Sequence, residues 1–153
     1  MGRSAGGLAV AGVLAGCTGR GTPEPPDPVT EALAALWAGE QTLVARYEQV
    51  LGQFPALASR LEGMRDDHRA HAAAVRSLLD GRRSPTATPG APDTSPSLGA
   101  VPRTPAAALA DLAGAETAAA AAAVAACLLA RGDTAALLAS VAACESSHLV
   151  VLR

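Results

Sequence analysis

Two short spacings in the sequence bring together residue types that bind metal ions: Glu145-x-x-His148 and His68-x-x-His71. Residues three apart on a helix share a face, so a carboxylate and an imidazole, or two imidazoles, can be offered to one ion. Two more acidic residues sit in apolar surroundings: Glu40 between Trp37 and Leu43, and Glu116 after Leu109 and Leu112. Three carboxylates and three imidazoles suit iron or manganese, one ion comfortably and two with added water or substrate.

These six residues can meet only if helices carry them on buried stripes. From 30 to 53, Leu33, Leu36, Trp37, Leu43, Val44, Tyr47 and Leu51 recur at three- and four-residue steps, which predicts a helix with Thr30 as its N-cap. Phe54-Pro55 interrupts it. From 56 to 79, Leu57, Leu61, Met64, His68, His71, Val75 and Leu78 alternate steps of four and three, and Gly81 is expected to end that helix. Residues 82–103, rich in Arg, Ser, Thr, Pro and Gly, read as a linker long enough for a crossover. Thr104-Pro105 opens a third, alanine-rich helix closed near Arg131-Gly132-Asp133, and a fourth spans 134–152 with the stripe Leu138, Val141, Glu145, His148 and Leu152. The fold class is therefore all-α: a four-helix bundle of two antiparallel hairpins joined by one long crossover, the connectivity of ferritin-like bundles.

Burying an unpaired charge costs several kcal/mol, so ionisable residues on apolar stripes call for a reason. In an antiparallel hairpin, residues equidistant from the turn face each other. Glu40 and His68 lie fourteen residues either side of Phe54, and Glu116 and His148 lie sixteen either side of Gly132. All three histidines of the chain thus fall level with a glutamate on the neighbouring helix.

Composition narrows the alternatives. Aromatic residues are 2% of the 153, and alanine dominates the 50% that is hydrophobic, which excludes a strand-based fold. With 12 basic residues, all arginine, a net charge of −2 leaves no basic face for a nucleic-acid partner. The most apolar run, 117–130, is shorter than the roughly twenty residues of a bilayer crossing, so no span is expected there.

The N-terminus has a different character. Arg3, a brief apolar stretch and Leu14-Ala15-Gly16-Cys17 have the layout of a secretion signal over 1–16. The last four residues resemble the lipobox of bacterial lipoproteins, which implies lipidation at Cys17 and an extracytoplasmic location anchored to the cell membrane. Residues 17–28, rich in Gly, Pro and Thr, read as a flexible tether. The pattern Glu40 … His68-x-x-His71 … Glu116 … Glu145-x-x-His148 over 29–153 resembles the ferritin-like di-iron carboxylate signature. With the lipobox, the chain is similar to small actinobacterial lipoproteins that carry a ferritin-like domain of unknown function. The resemblance implies Glu40, His68, His71, Glu116, Glu145 and His148 as ligands to iron or manganese. His68 stands where that signature has a glutamate, which favours the alternative of a metal-free structural or interaction lipoprotein with a degenerate site. Whether the site catalyses a reaction, whether the chain forms a homo-oligomer and which protein it meets are left open.

Four residues outside the pattern are read as structural. Tyr47, two turns after Glu40, is expected to be a core residue with a hydrogen-bonded hydroxyl, and Asp67, beside Asp66 and Arg69, a solvated edge. Cys127 and Cys144 are expected to stay unbridged, because their register across the turn leaves them about 10 Å apart along the helices.

Overall fold

The structure, a computed structural model, describes residues 27–82 and 98–153. The leader, Cys17, the tether up to Pro26 and the linker from 83 to 97 lie outside the described residues. Four long helices and one short 3-10 turn make up the described part, with no strand among the described residues: α1 (Pro28–Gln53), the turn Pro55–Leu57, α2 (Ala58–Arg82), α3 (Pro105–Leu129) and α4 (Gly132–Leu152). The all-helical class expected from composition and periodicity is the one observed.

Local chemistry accounts for most helix ends. Asp27, not Thr30, caps α1: its carboxylate accepts from the amides of Val29 and Thr30 at 3.2 and 3.3 Å and from the Thr30 hydroxyl at 2.8 Å. The carboxylate outcompetes a hydroxyl at a positive helix terminus, and Pro28 behind it supplies a preset φ. Thr104 caps α3 as expected, accepting from Ala107 N at 3.3 Å with Pro105 in the first turn. Gly81 does not end α2, which continues to Arg82. Between α3 and α4 the chain runs through Ala130 and Arg131 into Gly132, whose φ of +56° few other residues adopt cheaply.

α1 packs chiefly on α2 and α3, and α3 on α4. Arg46 of α1 holds Asp111 of α3 at 2.7 Å and donates to Gly99 O at 2.7 Å, tying the segment ahead of α3 to α1. Arg60 of α2 donates to Val151 O at 2.8 Å and Arg153 O at 2.9 Å, placing a cation at the carbonyl end of α4.

The buried residues form two apolar clusters. One holds Leu33, Leu36, Val75, Leu79, Ala123, Ala126, Leu138, Val141 and Ala142. The other holds Leu43, Tyr47, Val50, Leu61, Met64, Ala108, Leu112 and Leu152. Alanines on α3 let its backbone approach its neighbours closely, so this thin core is filled without large side chains. The expected stripes are shifted in detail: Val50 is buried where Leu51 is partly exposed, Leu79 where Leu78 is, and Trp37 and Val44 are only partly covered.

The outer faces of α3 and α4 are unusually apolar, with Val124, Leu128, Leu129, Val150 and Val151 exposed. Both helices, of 25 and 21 residues, are long and apolar enough on length and composition to cross a bilayer, although no span was expected from the sequence. Counting only the alanine-rich stretch 117–130 missed the apolar residues on both sides of it. Each of these helices also packs buried side chains into the bundle, which a core helix does equally well.

Candidate metal centre

Between the two apolar clusters lies a polar layer. Glu40 from α1, His68 and His71 from α2, Glu116 from α3 and Glu145 and His148 from α4 all reach it, so each of the six residues singled out in the sequence is there. Five are essentially inaccessible to water; His71 is the exception, with its side chain 14% exposed. Their arrival in one layer follows from the stripe: Glu40 occupies the step between Leu36 and Leu43, and Glu145 the step between Val141 and His148.

His68 is at the centre. Its Nδ1 lies 2.7 Å from Glu40 Oε2 and its Nε2 2.8 Å from Glu116 Oε1. Carboxylate oxygens only accept, so both ring nitrogens must donate and His68 is an imidazolium. Burial favours the neutral ring, yet the bonds to Glu116 and Glu40 and their charges outweigh it and push the His68 pKa up to about 9. The carboxylates respond in kind. Burial opposes ionisation of Glu40, but His68 and His71, with Glu145 beside it, hold it down at about 2. Burial acts the same way on Glu116, and His148, His68 and Tyr47 bring it down to about 2.

Glu145 has the opposite fate. Burial, then the neighbouring Glu40 charge, push its carboxyl up to about 9, so of this pair of facing acids Glu145 keeps a proton. Neither of its oxygens has a hydrogen-bond partner, and Glu40 Oε1, His71 Nδ1 and Glu116 Oε2 are orphaned in the same way. Buried polar atoms are nearly always paired, so five orphans in one layer make a concentrated exception.

Two sets of ligand atoms converge here, each within 4.8 Å of one another: Glu40, His68, His71 and Glu145, and His68, Glu116 and His148. His68 belongs to both. His71 approaches Glu40 Oε2 at 3.7 Å, too long for a hydrogen bond, which leaves its nitrogen available to an ion.

Three residues read as structural in the sequence prove to belong to this network. Tyr47 donates its hydroxyl to Glu116 Oε1 at 2.5 Å, and burial together with that carboxylate raises its pKa. The expected hydrogen-bonded core tyrosine is there, but its partner is the candidate centre itself. Asp67 is exposed as expected, yet its Oδ2 lies 3.3 Å from His148 Nε2. Cys144 and Cys127 are both free, as the register predicted, and Cys144 Sγ lies 3.6 Å from His148 Nε2. Burial, then the charges of Asp67, Glu116, Glu145 and Glu40, raise the Cys144 thiol pKa, so it is no activated nucleophile. The four-residue step from Cys144 to His148, one turn of helix, was the signal available in the sequence.

Searches of family models, of curated proteins and of solved structures find no match to this chain.

Proposed function

We propose that the chain is a ferritin-like four-helix domain whose core binds one or two transition-metal ions, iron or manganese, through Glu40, His68, His71, Glu116, Glu145 and His148. In this reading α1–α2 and α3–α4 are the two antiparallel hairpins, 82–103 is the crossover, and a lipidated Cys17 tethers the domain outside the cell membrane. The pairs Glu40–His68 and Tyr47–Met64 across α1 and α2 support the hairpin assignment.

The observation that carries the metal reading is the set of orphaned atoms around Glu145. A carboxyl with no exposure and two unpartnered oxygens faces the orphaned Glu40 Oε1 and His71 Nδ1. Without an ion, this arrangement costs desolvation that one proton held between Glu40 and Glu145 repays only in part, leaving most of these atoms without a partner. Carboxylates and imidazoles in equal number match the donor preference of iron and manganese. The ion supplies Lewis acidity and, in the case of iron, one-electron redox chemistry. The residues of the chain bind and orient it, and the two apolar clusters keep bulk water away.

A second reading, a metal-free polar network, is favoured by one feature. His68 already acts as a cation between Glu40 and Glu116, with both nitrogens satisfied. Thermal unfolding separates the two. The metal reading predicts that Mn(II), or Fe(II) under anaerobic conditions, at a hundred times its Kd stabilises the protein by about 2.7 kcal/mol. Glu145→Gln should abolish that response and still fold, because glutamine replaces a carboxyl that is protonated without the ion. An unfolding temperature indifferent to both ions would leave the polar network as the better account.

A further inference from the structure

The edge of the polar layer holds a third group of ligand atoms. His148 directs Nδ1 at Glu116 Oε1, 3.2 Å away, and Nε2 toward Asp67 Oδ2 at 3.3 Å and Cys144 Sγ at 3.6 Å. The ligand atoms of Asp67, Cys144 and His148 all lie within 4.8 Å of one another. Nε2 thus faces a carboxylate oxygen and a sulfur together, the donor types of a mixed nitrogen, oxygen and sulfur metal site.

The two separations that involve His148 agree with such an ion. Tetrahedral zinc with bonds of about 2.3 Å to sulfur and about 2.0–2.2 Å to nitrogen and oxygen sets sulfur and nitrogen about 3.5 Å apart and nitrogen and oxygen about 3.4 Å apart. The corresponding separations here are 3.6 and 3.3 Å. We propose that Asp67, Cys144 and the Nε2 atom of His148 form a separate metal site, for a thiophilic divalent cation such as zinc, at the edge of the buried centre.

The helix prepares most of this site. Cys144 and His148 are one turn apart on α4, so backbone geometry sets their separation before an ion arrives. Asp67 on α2 is exposed, which gives the ion an approach from water. On binding, the Cys144 Sγ–H bond breaks, an Sγ–metal bond forms, and the proton leaves to solvent. Three protein donors leave one tetrahedral position open to water or a small ligand. The thiolate distinguishes this site from the carboxylate–imidazole centre, since sulfur favours softer ions. Cys127 has no such role: its thiol donates to Ala135 O at 3.3 Å.

The test is a titration of the reduced, metal-free full chain with Co(II), a visible stand-in for zinc. The site predicts a thiolate-to-cobalt charge-transfer band that is displaced by Zn(II), retained in Cys127→Ser and lost in Cys144→Ser. Asp67→Asn should raise the Co(II) needed for half-saturation at least tenfold. The band should also persist in Glu145→Gln, the variant that removes the response to manganese, so the two sites can fail separately. Absence of the band in the unmodified chain, or its survival in a Cys144→Ser protein of unchanged helix content, overturns the proposal. Its loss in a folded Glu145→Gln protein would place the cobalt in the buried centre and overturn it equally.

Discussion

Replacing His68 with leucine is expected to destabilise the metal-free protein by about 3–5 kcal/mol, the cost of stripping the partner from buried charges. The imidazolium bridges Glu40 and Glu116, and both carboxylates are sealed from water between two apolar clusters. Without it, Glu40 keeps only His71 at 3.7 Å and Glu116 keeps Tyr47 and His148, so each must either stay charged with its main partner gone or take up a proton at a pH well above its native value. Against a total stability of about 5–15 kcal/mol for a domain, that loss leaves a marginal protein. Replacing Glu40, His68 and Glu116 together with leucine should recover most of it, since an apolar core often equals a buried ionic cluster in stability. The recovery should fall short by about 1–3 kcal/mol, because the Tyr47 hydroxyl then loses its acceptor. Urea unfolding of the single and triple variants in the presence of a chelator measures both differences. A single variant as stable as the parent would mean that His68 does not bridge the two charges.

The same network predicts an unusual pH profile for the metal-free protein, with greatest stability near pH 5 and a steep decline toward pH 9. His68 is raised from 6.5 to about 9. The stability this provides is complete below pH 6.5 and is lost as the pH rises through 9, a change of about 3 kcal/mol. Glu145 adds to the decline. It holds its proton in the folded state to about pH 9, whereas the unfolded chain releases it near 4.5, so alkalinity favours unfolding throughout that interval. On the acid side Glu40 and Glu116, lowered to about 2, contribute stability above 4.5 that disappears as the pH falls through 2. Glu40 and Glu145 titrate as a pair, so the low and high values belong to two facing acids that share one proton. Chelator-treated protein unfolded by urea from pH 3 to pH 9 should trace this asymmetric dome. A plateau from pH 5 to 9 would contradict it.

The sequence carried the site better than its surroundings. A core stripe dictates which side chains are buried, and the distance of each from a turn dictates its level; those two rules place Glu40, His68, Glu116, Glu145 and His148 in one layer. Azimuth is harder to read. On α2 the strict four–three alternation drifts by about 20° per heptad relative to a straight helix, which is why Leu79 is buried in place of Leu78 and His71 keeps a small exposed edge. α4 keeps the alternation throughout, and its whole expected stripe is buried. Asp67 reads as a solvated edge because its approach to His148 depends on how α2 lies beside α4, helices from different halves of the chain, whereas Cys144 lies one turn before His148 on α4 itself. Tyr47 was placed on the right face, but a stripe cannot say which buried acceptor a hydroxyl will find.

An ion held in the polar layer shows as metal that stays with the chain after loading. Metal-free protein is incubated with Mn(II), or with Fe(II) under anaerobic conditions, passed over a desalting column and analysed for metal per chain. The proposed centre predicts about one to two equivalents retained, falling below about a tenth of an equivalent in a folded Glu40→Gln/Glu145→Gln variant. Retention below about a tenth of an equivalent in the unmodified protein, or equal retention in the two, would contradict it.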